Sequence, residues 1–170
     1  MVNIEIRLIE GGGDLEAVRN LCREWLDWHW DNYPADWPTE GNPMDPERFE
    51  GILTNLSELH ARPLGAIILA LIDDQPAGCV MYNLLDQGVA EFNRMYVSES
   101  GRGHGLGHKM LEHMFRQMKA DGYNKVVFSS AIFLTHARKM YEKAGFISAP
   151  HPDGFPEDWR DKVYFMERAL

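Results

Sequence analysis

Polar and apolar residues alternate over residues 3–9, the period of a half-buried strand. Gly11-Gly12-Gly13 breaks the alternation, and Asp14 is placed to cap a helix running to about residue 31. Within it Leu15, Val18, Leu21, Cys22, Trp25 and Leu26 recur at three and four, the spacing of one helical face. Pro34, Pro38 and Pro43 then make a loop, and Asp45 followed by Pro46 marks a second helix start. Residues 64–72 are an almost unbroken apolar run, as in a strand covered on both faces. Asp73-Asp74-Gln75-Pro76 turns the chain into a strand at 78–84, and Asp86-Gln87-Gly88 turns it into another at 90–97.

Beyond residue 97 the period lengthens to 3.6. Leu106, Met110, Leu111, Met114 and Met118 share one stripe, with Lys109, Glu112, Arg116 and Lys119 off it. Asp121-Gly122 stops that helix, and residues 125–129 read as a short strand. Thr135 is placed to cap a helix ending at Gly145, and residues 146–147 and 163–166 supply the last two strands. A three-stranded meander followed by βαβ predicts a mixed sheet, so the fold class is α/β (α+β) with one domain over residues 1–170.

Composition narrows the function. The chain has 170 residues, 45% hydrophobic and 25% charged, enough to bury a core without disulfides or metal staples. A net charge of −9 disfavours general nucleic-acid binding, and no apolar stretch is long enough to span a bilayer. No basic-then-apolar leader opens the chain, and Cys22 and Cys79 are too few for a disulfide framework, so a cytoplasmic location is expected. The charge is also segregated. Residues 23–60 carry nine acids against two bases, while residues 102–143 carry eight bases against three acids. Such a chain can hold two ligands of opposite charge, provided a specific anion site lies in the basic half.

That site is at Gly101-Arg102-Gly103-His104-Gly105-Leu106-Gly107, where a strand runs through alternate glycines directly into an amphipathic helix. Unpaired N–H groups at a helix start, with glycines that let a ligand approach, form an anion site, and Arg102 adds a forked cation. Neither nucleotide template fits. A G-x-G-x-x-G fingerprint meets Leu106 or His108 at its last glycine, and a Walker A loop meets His108 and Met110.

Arg102-x-x-Gly105-x-Gly107 resembles the Q/R-x-x-G-x-G/A signature of the GNAT (GCN5-related N-acetyltransferase) superfamily. The preceding Glu91-Phe92-Asn93-Arg94-Met95-Tyr96-Val97 is similar to the strand before that loop in the family. Tyr141-Glu142-Lys143-Ala144-Gly145-Phe146 is similar to its Y-E-K-x-G-F segment, and Asp74-Gln75-Pro76-Ala77-Gly78 to an earlier turn. The resemblance implies a GNAT fold, a sheet of about six to seven strands flanked by about four helices. It implies acetyl-CoA as cosubstrate, its pyrophosphate on the amides of Arg102, Gly103, His104, Gly105, Leu106, Gly107 and His108. Backbone groups of Met95, Tyr96 and Val97 would pair with the pantetheine arm, and one N–H would polarise the thioester carbonyl.

Acetyl transfer to an amine needs a base to take a proton and an acid to protonate the thiolate. The resemblance assigns Tyr141 as the acid and Glu91 as a base, acting directly or through water. Where many members carry a cofactor-contacting asparagine this chain has Leu134, and Thr135 beside it is read as a helix cap. His104 and His108 lie four apart without the Glu of H-E-x-x-H or a third ligand, so no metal is expected. Trp28, Asp31 and Tyr33, within an aromatic and acidic segment, are candidates for the acceptor, because aromatic faces and carboxylates suit a cationic amine. The expected activity is acetyl-CoA-dependent N-acetylation of a small-molecule amine by direct attack in a ternary complex. Acetylation of a protein lysine or N-terminus, and a non-catalytic acetyl-CoA sensor, are the alternatives. Many relatives are homodimers, but no feature of this sequence marks an interface.

Overall fold

A computed structural model describes all 170 residues. The alternating start of the chain is strand β1 (Ile4–Leu8), followed by helix α1 (Gly11–Asp31). This helix begins earlier than expected, with Gly11, Gly12 and Gly13 inside its first turn. Asp14 is therefore not the cap. Its carboxylate reaches back from within the helix to accept the Glu10 N–H at 2.7 Å, and it also pairs with Arg7 at 3.1 Å. Helix α2 (Pro46–Thr54) starts as the sequence predicts, with the Asp45 side chain accepting from the Arg48 N–H. A four-residue helix, α3 (Leu56–Leu59), follows without a sequence signal of its own.

The apolar run is β2 (Ala66–Ile72) and pairs antiparallel with β3 (Gln75–Asp86). The turn between them is tighter than the sequence suggested. Only Asp73 and Asp74 intervene, both at positive φ (49° and 64°), the conformation that lets a two-residue hairpin follow the strand twist. Next come β4 (Val89–Val97), α4 (Leu106–Ala120), β5 (Lys125–Ala131), α5 (Thr135–Lys143), β6 (Ile147–Ala149) and β7 (Val163–Ala169). Thr135 is the first helical residue of α5 and makes no capping bond; Leu134 holds the cap position, which corrects the expected cap. The seven strands form one sheet ordered β1-β2-β3-β4-β5-β7-β6, with the α/β architecture expected and five helices in place of four.

Alternation along the strands sends side chains to two cores. Ile68, Val80, Tyr82, Ala90 and Phe92 meet Met110, Leu111 and Met114 of α4 and Tyr141 of α5 on one face. Ile67, Leu69, Cys79 and Met81 meet Val18, Leu21 and Cys22 of α1 and Phe49 and Leu53 of α2 on the other. Cys22 and Cys79, 57 residues apart in sequence, are both buried in this second core.

One polar network ties the edges of the first core. Asp121, just after α4, accepts from both terminal nitrogens of Arg62 (2.5 and 2.7 Å), from Gln117 and from the buried Tyr82 hydroxyl. Asp121→Ala leaves the Tyr82 hydroxyl without its acceptor, whereas the half-exposed Arg62 regains water. A loss of about 2 kcal/mol is expected, measured as a lowered denaturant midpoint at unchanged m-value.

Candidate active site

Three features converge at the C-terminal end of β4. The first is the glycine loop. Gly103 and Gly105 have φ of 81° and 69°, and Gly105 is the residue from which α4 departs. That left-handed step turns the backbone so that the N–H groups of residues 103–108 donate to no protein acceptor; the first helical bond is from the Lys109 N–H to the Gly105 carbonyl. Six consecutive amides at the positive end of a 15-residue helix form an anion cradle, and Arg102 is exposed beside it. His104 is half-buried, whereas His108 is exposed and pairs with Glu112 at 3.2 Å. Leu106 and Gly101 are buried, and the Gly101 N–H already donates to the Ser98 carbonyl.

The second feature is a gap in the sheet. β4 and β5 pair in parallel only at Val89↔Lys125, Ala90↔Val126 and Glu91↔Val127. Thereafter β5 follows β7 along its whole length, and residues 92–97 of β4 have no partner on that side. The open edge carries Met95, Tyr96 and Val97, and a strand edge can pair with an extended, amide-containing ligand. Met95 and Val97 pack toward the α4 core and Tyr96 toward the α1 core.

The third feature is the division of polar groups between the faces. Tyr141 lies on the α4–α5 side among Phe92, Phe128 and Phe146, with ring centroids 4.3 to 6.0 Å away. No protein group hydrogen-bonds its hydroxyl, and burial pushes its pKa well above the ordinary phenol value, so it stays protonated. Glu91 lies on the α1–α2 side and lines a cavity of about 590 Å³ with Asn83, Asn93, Arg94 and His60. The gap between β4 and β5 thus separates a protonated phenol on one face from a carboxylate on the other.

The aromatic segment closes one end of the second face. His29, Tyr33 and Trp37 pack with Phe133, Trp30 packs on His29 and Tyr33, and Trp37 meets Trp159 of the β6–β7 loop edge to face at 6.5 Å. Tyr33 uses its hydroxyl inside this segment, donating to the Pro38 carbonyl and accepting from Asn42. Trp28 and Asp31 are exposed on α1. Sequence reasoning did not single out His60, Asn83, Phe133 or Trp159, which reach the site from distant segments. Nor did it single out Arg94, which simple alternation would place on the face opposite Asn93. No trio of His, Cys, Asp or Glu side chains gathers at ligating distance, and no helix is long and apolar enough to cross a membrane.

Comparison with known proteins puts this geometry in context. The model of the acetyltransferase (GNAT) family matches residues 22–146. Among solved structures, an acetyltransferase of the GNAT family from Staphylococcus aureus Mu50 superposes with a TM-score of 0.75 at 17% identity, covering 99% of each chain. An acetyltransferase from Streptococcus agalactiae 2603 gives 0.76 at 17% identity, covering 98% of each. The PaiA N-acetyltransferase of Thermoplasma acidophilum, solved with coenzyme A, gives 0.71 at 19% identity over 99% of each chain. At such identities the structural likeness is one of fold. No curated protein matches the sequence.

Proposed function

This chain belongs to the acetyltransferase (GNAT) family of acyl-CoA-dependent N-acetyltransferases, and from that premise we propose that it moves an acetyl group from acetyl-CoA to the primary amine of a small cationic molecule. The observation that carries the reading is the run of six unpartnered amides at residues 103–108, opening onto a strand gap that reaches both faces of the sheet. A diphosphate fits the amide cradle, with Arg102 alongside. The open edge at Met95, Tyr96 and Val97 suits the amides of a pantetheine arm. Acetyl-CoA supplies the activated acyl group.

The chain's own residues divide the proton transfers. Glu91 takes the proton from the acceptor ammonium, directly or through water, on the α1–α2 face. A strand N–H beside the gap stabilises the carbonyl oxygen as negative charge develops on it. Tyr141, held protonated by its aromatic surroundings, returns a proton to the departing thiolate. Attack is direct, within one ternary complex. Trp28 and Asp31 border the acceptor's approach, and Tyr33 contributes its ring. Trp37 and Trp159, packed edge to face, tie the first helix's loop to the β6–β7 loop, and a covered surface there favours a small acceptor over a protein segment. The buried, reduced Cys22 and Cys79 suit a cytoplasmic enzyme.

Two measurements test this reading. Thiol release from acetyl-CoA over a panel of small amines and basic peptides should show turnover confined to small amines; turnover on the peptides alone would overturn the acceptor class. Gly105→Asp tests the cradle. A Cβ there meets no atom within 4 Å, and aspartate tolerates the left-handed conformation, so the fold survives. A carboxylate next to a diphosphate should weaken acetyl-CoA binding about 100-fold by calorimetry, given roughly 1 to 4 kcal/mol of repulsion at about 4 Å. Unchanged affinity would place the cofactor elsewhere.

A further inference from the structure

Strand β4 carries one residue too many for its partner. Cys79 pairs with Tyr96 and Met81 with Asn93, so two steps along β3 face three along β4. The excess is taken up near Arg94, at φ 50°, a left-handed conformation that a bulky non-glycine residue rarely adopts. Strained bulges re-aim side chains and concentrate at functional sites. Here the effect is specific: Asn93 and Arg94, adjacent in sequence, both line the cavity that holds Glu91.

Arg94 is part-buried, and no carboxylate pairs with it. Its Nη2 donates to His60 Nε2 at 2.5 Å and its Nε to the Met81 sulfur at 3.2 Å, while Nη1 has no partner in the protein. His60 is itself held in place, its Nδ1–H donating to the Tyr82 carbonyl at 2.9 Å, which leaves Nε2 as an acceptor. A neutral histidine thus orients the guanidinium without neutralising it. The cavity's other guanidinium, Arg62, is committed to Asp121. An oriented, part-buried cation without an anion is costly to maintain and suits a site that receives one.

We propose that Arg94 binds a carboxylate of the acceptor, so that the acceptor is a small amino carboxylate with its ammonium toward Glu91. This rests on the N-acetyltransferase reading and replaces its purely cationic acceptor with a zwitterionic one. A zwitterion matches the Glu91 carboxylate and the unpaired Arg94 guanidinium, which line the same cavity along with the exposed Glu58 and the committed Arg62, whereas Arg94 repels a polycation. The side-chain amides of Asn83 and Asn93, joined at 2.9 Å, offer further polar contacts to the ligand.

The test uses matched sets, each an amino acid, its carboxamide and its decarboxylated amine, compared by thiol release from acetyl-CoA. In the wild-type enzyme kcat/KM for the carboxylate should exceed that of both neutral partners by at least 10-fold, because guanidinium–carboxylate bonds are charge-assisted. Arg94→Met should bring the ratio close to one, mainly by raising KM for the carboxylate, and Arg94→Lys should retain part of the preference. The wild-type comparison decides the matter even if a variant misfolds. Equal or better turnover of the decarboxylated amines overturns the proposal and leaves the transferase standing. Acetyl-CoA binding with turnover of neither kind overturns the proposal, and loss of acetyl-CoA binding as well overturns both readings.

Discussion

Between about pH 6.5 and 4 the protein is expected to lose several kcal/mol of stability, and two buried histidines are the cause. His29 sits among the rings of Trp25, Trp30, Tyr33 and Phe133, 5% exposed, and neither ring nitrogen has a partner. Burial lowers its pKa to about 4. His60 is 3% exposed, and its pKa is likewise lowered to about 4, by burial first and with the Arg94 cation adding to the effect. A proton on His60 Nε2 would also remove the acceptor that Arg94 uses.

Both histidines are neutral when folded and take up a proton near pH 6.5 once unfolded. As pH falls below 6.5 the unfolded state binds more protons, so stability falls until the folded pKa near 4 is reached. Each histidine contributes about 1.4 kcal/mol per pH unit across that window, about 2.7 together. Domains of this size hold roughly 5 to 15 kcal/mol, so the effect is large. Asp121, whose pKa its partners Arg62, Tyr82 and Gln117 lower, loses its contribution only at more acidic pH, which separates the two windows. Denaturant midpoints at pH 7, 6, 5 and 4.5 should track the histidine slope, and His29→Phe should halve it. A midpoint that does not move between pH 7 and 5 would show that neither ring resists protonation.

The second large effect is catalytic. Tyr141→Phe is expected to lower kcat about 100-fold while acetyl-CoA affinity stays within about 2-fold, since a positioned acid contributes roughly 10²–10⁴-fold. The substitution removes one oxygen that bonds to nothing in the folded protein, and Phe92, Phe128 and Phe146 already make the surroundings aromatic. Stability should therefore change little. A fall in kcat with intact folding and cofactor binding assigns the loss to the chemical step. Because burial raises the phenol pKa above its ordinary value near 10, the wild-type rate should show no loss from Tyr141 ionisation near neutral pH. Wild-type kcat in the variant would leave Tyr141 as a packing residue and assign thiolate protonation to water or another donor.

The parts of the site that sequence revealed are local in the chain. Six contiguous amides and a helix start follow from Gly103, Gly105 and the stripe of Leu106, Met110 and Met114, because a helix leaves its own first N–H groups unpaired. The strands of the meander were legible for the same reason: alternation and turn residues act over a few positions. Helix starts were less so, since Asp14 lies within the helix, not at its cap, and Leu134, not Thr135, holds the cap position of α5.

What periodicity could not predict depends on competition between distant segments. β5 follows β7 rather than β4, and that preference opens the gap. A bulge, one residue of mismatch between β3 and β4, carries Arg94 onto the face of Asn93 and Glu91, where strict alternation would have put it opposite. His60, 34 residues upstream, then fixes the guanidinium. The sequence by itself determined the run of unpaired amides and the succession of strands and helices along the chain, because both arise from bonding and periodicity among near neighbours. The tertiary structure alone decided which polar groups share the cavity beside Glu91, because burial and register belong to the packed sheet as a whole.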